Sequence, residues 1–219
     1  KDASAYVFGV LPEKKEIPLY GIENVLMVQF IPGSFTWATG IPADEVPPEG
    51  FKLEDVFPWA LSTMEGINAV DSEQEHSLLL RRFLDQCQAK KTGRRDSDEK
   101  MAASIAGYMM QNRRAVRMKE LEDRYGYTAR TLQKLVLKNV GITPKQLSLQ
   151  ICLQSAIRQL SDNKECSLTE MSHQMDFYDQ SHFNRIFRKM TGLCPGEYIK
   201  RLEGRAAGEE PKQIKHALS

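Results

Sequence analysis

The chain has 219 residues, of which 41% are hydrophobic and 27% are charged, and its formal net charge is +1. This composition is that of a folded globular protein with room for about two domains, and it argues against a chain that is disordered throughout. The longest apolar run, Val25–Ile31, is too short to span a bilayer, and no signal peptide opens the sequence. We therefore expect a soluble, cytoplasmic protein without a membrane partner.

Charge is divided unevenly along the chain. Residues 1–97 hold 10 basic and 15 acidic residues, a net charge of −5, whereas residues 98–219 hold 20 basic and 14 acidic residues, a net charge of +6. Lys and Arg neutralise phosphates, so the second half is the candidate for binding nucleic acid. An excess of six charges could equally belong to a solvated surface, and charge alone does not decide between the two.

The N-terminal part has the pattern of strands joined by tight turns. Seven of the ten prolines precede residue 60, among strand-like runs such as Ala5–Val10 and Asn24–Phe30 and turn signals such as Pro32-Gly33. This pattern predicts a strand-rich domain over residues 1–90. Because residue 1 is a lysine within an interior-strand pattern, we expect this domain to be incomplete at its start.

Two helices are predicted to close the N-terminal domain, one from Leu53 to Val70 and one reaching about Lys90. The second carries an apolar stripe that comprises Leu78, Leu79, Phe83, Leu84 and Cys87. Only about two heptads are available, which favours packing on its own domain over a dimer seam. It is still the best candidate seam in the sequence, and on it we base the expectation of a homodimer.

A polar linker divides the chain. Residues 91–99 contain no apolar side chain. The sequence therefore predicts a sensor or regulatory domain over 1–90, the linker over 91–99, a helical domain over 100–203 and a polar tail over 204–219.

Seven helices are predicted in the second half. Their expected ranges are Lys100–Gln111, Met118–Tyr125, Thr128–Val140, Pro144–Leu160, Leu168–Met175, Ser181–Thr191 and Pro195–Leu202. Two starts are marked chemically, by Thr143 before Pro144 and by a capping box from Ser167 to Glu170.

The helical half contains an internal repeat with an offset of about 50 residues, relating residues 121–144 to residues 171–195. In each copy a short helix meets an aromatic residue, breaks, and restarts as a helix with one apolar and one polar, basic face. This is the helix-turn-helix layout, in which the second helix enters the major groove. A single helical hairpin in any bundle could show some of this pattern, but two matching copies favour the helix-turn-helix interpretation.

The side chains expected to face DNA are those that suit base edges and phosphates. They are Arg130, Gln133 and Lys134 in the first unit and Gln180, His182, Asn184, Arg185, Arg188 and Lys189 in the second. The residues expected to face the core are Leu132, Leu135, Val136, Phe183, Ile186 and Phe187.

The run Asp176–Tyr198 resembles the signature of the AraC/XylS family of bacterial transcription regulators, and the resemblance covers residues 101–202. The chain departs from the family pattern at three positions. Asp176 replaces a glycine, Cys194 replaces a threonine, and Cys152, on the predicted long fourth helix, replaces an arginine. The resemblance implies a seven-helix DNA-binding domain whose two recognition helices enter adjacent segments of the major groove. The family's base-contacting positions fall on Arg130, Gln133, Lys134, Gln180, Asn184 and Arg185.

Taken together, these features predict an α+β protein and a sequence-specific, double-stranded-DNA-binding transcription regulator located at the nucleoid. Its expected further partners are RNA polymerase and a small-molecule effector, or another partner, at the N-terminal domain. We expect no enzymatic activity and no cofactor, because the sequence holds no phosphate loop, nucleophile elbow or paired-cysteine zinc motif.

Three alternatives remain open from the sequence alone. Cys166, His173, His182 and Cys194 could hold a metal ion, although their spacing matches no usual zinc pattern and we expect none. Cys152 or Cys194 could sense redox state. The protein could also be an architectural DNA binder without sequence preference.

Overall fold

The computed structural model describes residues 5–10, 27–70, 72–90, 97–162 and 179–206. The α-helices in these ranges are α1 (Phe35–Thr39), α2 (Leu53–Val56), α3 (Leu61–Asn68), α4 (Glu73–Lys90), α5 (Ser97–Asn112), α6 (Met118–Tyr125), α7 (Ala129–Val140), α8 (Pro144–Asp162), α9 (Gln180–Thr191) and α10 (Pro195–Ala206). Strands β1 (Tyr6–Val7) and β2 (Phe51–Lys52) form a two-stranded antiparallel sheet in which Tyr6 pairs with Lys52 and Val7 with Phe51.

The predicted strand-rich N-terminal domain is wrong for the described residues. Among them, β1 and β2 are the only strands of this region, and the described part of the chain is mostly helical. The run Ala5–Val10 contributes the two residues of β1, and residues 27–30 of the second run are not in a strand. The expected α+β class therefore gives way to a mostly helical fold.

Helix α1 shows why the prediction of a strand-rich N-terminal domain was wrong. Its sequence, Phe-Thr-Trp-Ala-Thr, is rich in the aromatic and β-branched residues that favour strands. The segment is nevertheless helical, packs against α4 and buries Thr36 and Ala38. It ends at Gly40, whose φ of +80° and hydrogen bond to the Thr36 carbonyl form a left-handed C-cap. Tertiary packing has overridden the local preference.

The structure divides into two compact units. The first comprises the described residues of Lys1–Val10, Phe30–Ala106 and Arg130–Thr143, and the second those of Leu11–Gln29, Gly107–Ala129 and Pro144–Ser219. Residues 91–96 of the predicted linker, the predicted helix Leu168–Met175 and most of the predicted tail lie outside the described residues.

A small aromatic core holds part of the first unit together. Phe83 on α4 lies 5.2 Å from the Trp59 ring and 5.8 Å from the Phe57 ring, measured between ring centroids. Ala60 and Cys87 are buried in the same cluster. The apolar stripe of α4 therefore packs into this core through Phe83 and Cys87, in line with the expectation that it packs on its own domain. Leu78 of the same stripe is half exposed.

A second core forms in the second unit, where α10 contacts both α8 and α9. Its buried members are Cys152, Leu153, Ala156, Leu160, Phe183 and Phe187. Burying two phenylalanines and two leucines contributes several kcal/mol of hydrophobic stabilisation, at roughly 1.5–3 kcal/mol for each side chain. This cluster packs α9 against α8 and α10.

The helices predicted in the second half agree with the structure wherever it describes them. α6 has the predicted bounds, α7 and α9 begin within one residue of them, and α8 and α10 extend a few residues further. α5 begins at Ser97, three residues before the predicted start, so the last three residues of the predicted linker are helical. At the start of α10, the Glu197 carboxylate accepts the backbone N–H of Cys194 at 2.8 Å, which is one half of a capping box. This bond offsets the poor capping ability of cysteine at the position before Pro195.

Candidate nucleic-acid interface

Helix α6, the first helix of the first helix-turn-helix unit, is fixed by a polar network around Glu120. The Glu120 carboxylate accepts two hydrogen bonds from the Arg114 guanidinium, at 2.8 and 3.1 Å, and a short one from the Tyr108 hydroxyl. The Arg124 guanidinium lies 4.2 Å from the centroid of the Tyr108 ring. The backbone N–H of Val116 also donates to the Ser148 hydroxyl on α8 at 2.8 Å.

This network shifts two pKa values in opposite directions. Hydrogen bonds from Arg114 and then Tyr108 lower the pKa of Glu120, because they stabilise its charged form. The hydrogen bond to Glu120 raises the pKa of Tyr108, because it stabilises the neutral phenol. Both shifts favour the arrangement of a carboxylate with a protonated tyrosine at neutral pH.

Glu122 organises the turn between α6 and α7. Its backbone carbonyl accepts the N–H of Gly126, which has a φ of +71° and ends α6, at 2.9 Å. Its side chain accepts the N–H of Ala129, the first residue of α7, at 2.7 Å. A carboxylate at this position satisfies an N–H that lacks an intrahelical partner and interacts favourably with the positive end of the helix dipole. Glu122 therefore bonds to both sides of the turn, to the C-cap of α6 and to the first residue of α7.

Helix α7 separates an apolar face from a polar face. Leu132, Leu135 and Val136 are buried, as predicted. The three predicted site residues, Arg130, Gln133 and Lys134, are exposed. Their spacing of three and four residues places them on one side of the helix, where they can reach a common surface.

Helix α9 begins with a side-chain cap. Asp179 has extended backbone angles, and its Oδ1 accepts the backbone N–H of His182 at 2.7 Å. The helix ends at Gly192, whose φ is +78° and whose N–H bonds to the Arg188 carbonyl at 2.8 Å. The capping role of Asp179 was not predicted, although an Asp directly before a predicted helix is a standard start signal.

Helix α9 also has a buried face and an exposed face. Phe183 and Phe187 are fully buried, while Arg185, Arg188 and Lys189 are exposed. The remaining predicted site residues, Gln180, His182 and Asn184, are partly buried, as is Ile186. The carbonyl oxygen of the Asn184 side chain is itself shielded from solvent and has no hydrogen-bond partner among the described residues.

The N-terminal end of α9 borders a shallow depression lined by Asp179, Ser181, His182 and Arg185. It brings a guanidinium, an imidazole, a hydroxyl and the carboxylate that caps α9 to one open surface. Such a surface offers donors and acceptors of the kind that base edges and phosphates accept.

One further exposed basic residue on α7 was not among the predicted site residues. Lys138 is exposed and lies four residues after Lys134, so it extends the same face toward the end of the helix. The spacing was visible in the sequence and could have identified it. Leu137, beside it, is also exposed.

The metal alternative rests on four residues, of which the structure describes His182 and Cys194. Within the described ranges, no group of three His, Cys, Asp or Glu side chains lies close enough to hold an ion, and Cys166 and His173 fall outside those ranges. Within those ranges, Cys87, Cys152 and Cys194 form no disulfide bond. In the same ranges, no helix combines the length and the apolar character that a membrane span requires.

Comparison with known proteins identifies the helical half. A family model for a helix-turn-helix domain matches residues 121–201. The HTH-type transcriptional activator RhaS of Pectobacterium carotovorum is 29% identical over 100 residues, which cover 45% of this chain and 36% of that protein. The uncharacterized transcriptional regulatory protein YesN of Bacillus subtilis is 30% identical over 78 residues, covering 35% and 21% respectively.

A solved structure of a probable AraC family transcriptional regulator from Rhodopseudomonas palustris is similar over 47% of this chain and 97% of that one, with 25% identity and a TM-score of 0.43. The chain spans about a third of the length of the RhaS relatives that it matches. The helix-turn-helix match over residues 121–201 and the transcriptional activators that share it show that the helical half carries a helix-turn-helix domain of the AraC/XylS type.

Proposed function

We propose that the protein is a transcription regulator that binds double-stranded DNA in a sequence-specific manner. The observation that carries this proposal is the division of α9, in which Phe183 and Phe187 are fully buried while Arg185, Arg188 and Lys189 are exposed. An α-helix fits the major groove, and a helix anchored on one side can present its other side to base pairs without disturbing the core.

The side chains of α9 divide by chemistry into two roles. Arg185 would pair with the acceptors of guanine and Gln180 with adenine, because these pairings match donor and acceptor positions in the major groove. Asn184 would pair with adenine after a side-chain rotation that exposes its shielded oxygen. Arg188 and Lys189, in the last turn, would contact phosphates and fix the register. His182, which borders the depression at the helix start, would contribute to either role.

Helix α7 would make the second set of contacts. Arg130, Gln133 and Lys134 share its exposed side, and Lys138 continues that side. Arg130 and Gln133 suit base edges, while Lys134 suits a guanine or a phosphate. The protein would thus read DNA through two helices, α7 and α9.

The names of the relatives support an activating role. RhaS is described as a transcriptional activator, and we propose by similarity that this chain also activates transcription and contacts RNA polymerase. Its place of action would be the cytoplasm, at the nucleoid, since that is where the chromosome lies. On this view the protein is a regulator and not an enzyme.

The N-terminal region would supply control. We propose a regulatory domain over residues 1–90, a linker, a DNA-binding domain that reaches residue 203 and a tail over 204–219, and we propose that a small molecule or partner acts on the first of these. The linker, expected over 91–99, ends before Ser97, because α5 begins at that residue. A homodimer is the proposed assembly. Light scattering on the full chain at tens of micromolar tests it, because a complex with a Kd of about 1 μM would be assembled there.

Selection of bound sequences from a random DNA pool tests the main proposal. The full chain should enrich one sequence and hold it against an excess of bulk genomic DNA, because specific affinities commonly exceed nonspecific ones by about 10³-fold or more. Arg185→Ala should reduce the enrichment. Arg82→Ala removes one exposed charge from α4, outside the proposed interface, and should not reduce it. Binding without enrichment would indicate an architectural protein, and no binding would refute the proposal.

A further inference from the structure

The N-terminal segment Ile31–Glu45, hereafter the docking segment, contacts two helices of the proposed DNA-binding half. Gly33 lies against Ala103 of α5, Thr36 reaches Asn139 of α7, and Ala43 lies against Gly141, the residue that follows α7. All of these residues belong to the first compact unit. The docking segment therefore connects the N-terminal region directly to a candidate recognition helix.

Two glycines allow the close approach. A Cβ atom on Gly33 would lie 3.0 Å from the Cα atom and 3.2 Å from the nitrogen of Ala103, both backbone atoms of a helix. A Cβ atom on Gly141 would lie 3.0 Å from the Ala43 carbonyl oxygen. Both glycines also have left-handed φ values, +82° and +87°, which other residues adopt only with strain. The backbone of the docking segment thus lies close to the backbone of α5 and to that of the residue that follows α7.

Thr36 adds a polar link to the end of α7. Its hydroxyl accepts the backbone N–H of Ala43 at 3.1 Å and makes a long hydrogen bond, 3.5 Å, to the Asn139 carbonyl. The carbonyls of the last helical turn have no intrahelical partner, so a donor from outside the helix stabilises that end. Thr36 and Asn139 are almost completely buried, which keeps water from replacing this link.

The side chain of Asn139 has one buried polar atom that no described residue satisfies with a hydrogen bond. Asn139 donates its side-chain amide to the Leu135 carbonyl at 2.9 Å, but its Oδ1 is buried and has no hydrogen-bond partner among the described residues. A buried acceptor without a partner disfavours the state that buries it. Within the part of the chain that the structure describes, the buried end of α7 that Thr36 contacts is therefore not fully satisfied by hydrogen bonds.

The contact leaves the DNA-facing side of α7 free. Arg130, Gln133 and Lys134 are exposed, while the docking segment meets the opposite, buried side at Asn139 and the helix end at Gly141. The segment therefore does not block the surface that would meet DNA. Its effect must act through the position and order of the helix.

We propose that the docking segment positions the first recognition helix, so that a signal received by the N-terminal region alters the contacts made by α7 and not those made by α9. This proposal rests on the proposed function for its DNA consequence. The docked state is the binding-competent state, and release lowers affinity.

A matched pair of glycine variants in the full chain tests the docking itself. Gly33→Ala and Gly40→Ala impose a methyl group at nearly the same φ, +82° and +80°, but a Cβ on Gly40 meets nothing within 4 Å. Hydrogen exchange should show the amides of α7 opening about fivefold or more faster in Gly33→Ala than in Gly40→Ala. Equal exchange in the two variants would overturn the proposal. If Gly33→Ala fails to fold, Thr36→Val decides instead, and unchanged α7 exchange in that variant would overturn it.

Double-mutant cycles on a selected DNA sequence test which helix responds. Gly33→Ala should lower affinity by about fivefold or more, with Gly40→Ala within about twofold of the parent. The effects of Gly33→Ala and Arg130→Ala should be non-additive, whereas those of Gly33→Ala and Arg185→Ala should add, because only the first pair acts through α7. The reverse pattern would overturn the proposal. A parent protein that selects no DNA would refute the proposed function, while the exchange experiment would still decide the docking.

Discussion

Phe183 and Phe187 lie one turn apart on α9, with their ring centroids 5.6 Å apart and both side chains completely buried. Phe187 also meets the Tyr198 ring of α10, with the centroids 5.5 Å apart and the ring planes at 78°. These contacts join α9 to the helix that follows it. The spacing of four residues is what brings both rings to the same side of the helix.

The first prediction concerns this anchor. Phe187→Ala should lower the free energy of unfolding by about 3–5 kcal/mol, because it removes a fully buried aromatic side chain and leaves a cavity. Urea denaturation of the full chain measures the change. Arg188→Ala, the exposed neighbour, serves as the control and should change stability by about 0.5 kcal/mol or less. Similar losses in the two variants would mean that α9 does not pack as described.

The second prediction concerns the start of α9. Asp179→Ala should cost about 0.5–2 kcal/mol, because the backbone N–H of His182 loses its acceptor. Asp179→Ser, which restores a capping oxygen, should recover most of the loss. Urea denaturation of both variants tests this. A serine variant as unstable as the alanine variant would show that the charge of Asp179 matters more than its cap.

The third prediction concerns acid stability. Because the folded protein lowers the pKa of Glu120, the stabilisation from this group is present above its ordinary pKa of 4.5 and is lost as the pH falls through the lower folded value. Glu120→Gln should therefore flatten the decline of Tm in acid, while lowering Tm at neutral pH by only a few degrees, since the network lies near the surface.

Thermal unfolding of the parent and of Glu120→Gln at a series of acidic pH values measures this. Asp123→Asn breaks the exposed pair between Lys119 and Asp123, whose charged atoms are 2.9 Å apart, and provides the control. It should leave the acid decline nearly as steep as in the parent. Parallel curves for the parent and Glu120→Gln would contradict the role given to Glu120.

The fourth prediction separates base reading from phosphate contact. Arg185→Ala should cost about 1–3 kcal/mol on the selected DNA and relax the preference at one base position. Lys189→Ala should weaken binding to selected and scrambled DNA alike and reduce the salt slope by about one. Titrations at several salt concentrations distinguish the two. An equal loss on both DNAs for Arg185→Ala would make that residue a phosphate contact.

The helical half could be predicted well because its signals are local and mutually consistent. The buried and exposed sides of α7 follow directly from the helical spacing of Leu132 and Leu135 against Arg130 and Gln133. The start of α8 follows from Pro144, and the end of α9 from Gly192. Each of these elements carries its own apolar face and its own start or stop residue, so little depends on distant parts of the chain.

The N-terminal half could not be predicted in the same way because its conformation depends on distant contacts. The composition of Phe35–Thr39 favours a strand, yet packing against α4 makes it helical. Nor does any local pattern reveal that Gly33 would lie on α5 or Ala43 on Gly141. The space that a glycine leaves for another segment becomes visible only once both segments are placed.

The division of α9 into a buried and an exposed side bears on how the protein could diversify. The side chains that stabilise the helix, Phe183 and Phe187, are separate from the exposed Arg185, Arg188 and Lys189. Surface substitutions usually change stability by about 0.5 kcal/mol or less, so mutations on the exposed side are not removed by selection for folding. Single substitutions on the exposed side of α9 could therefore change the surface that this helix presents while the domain keeps its fold.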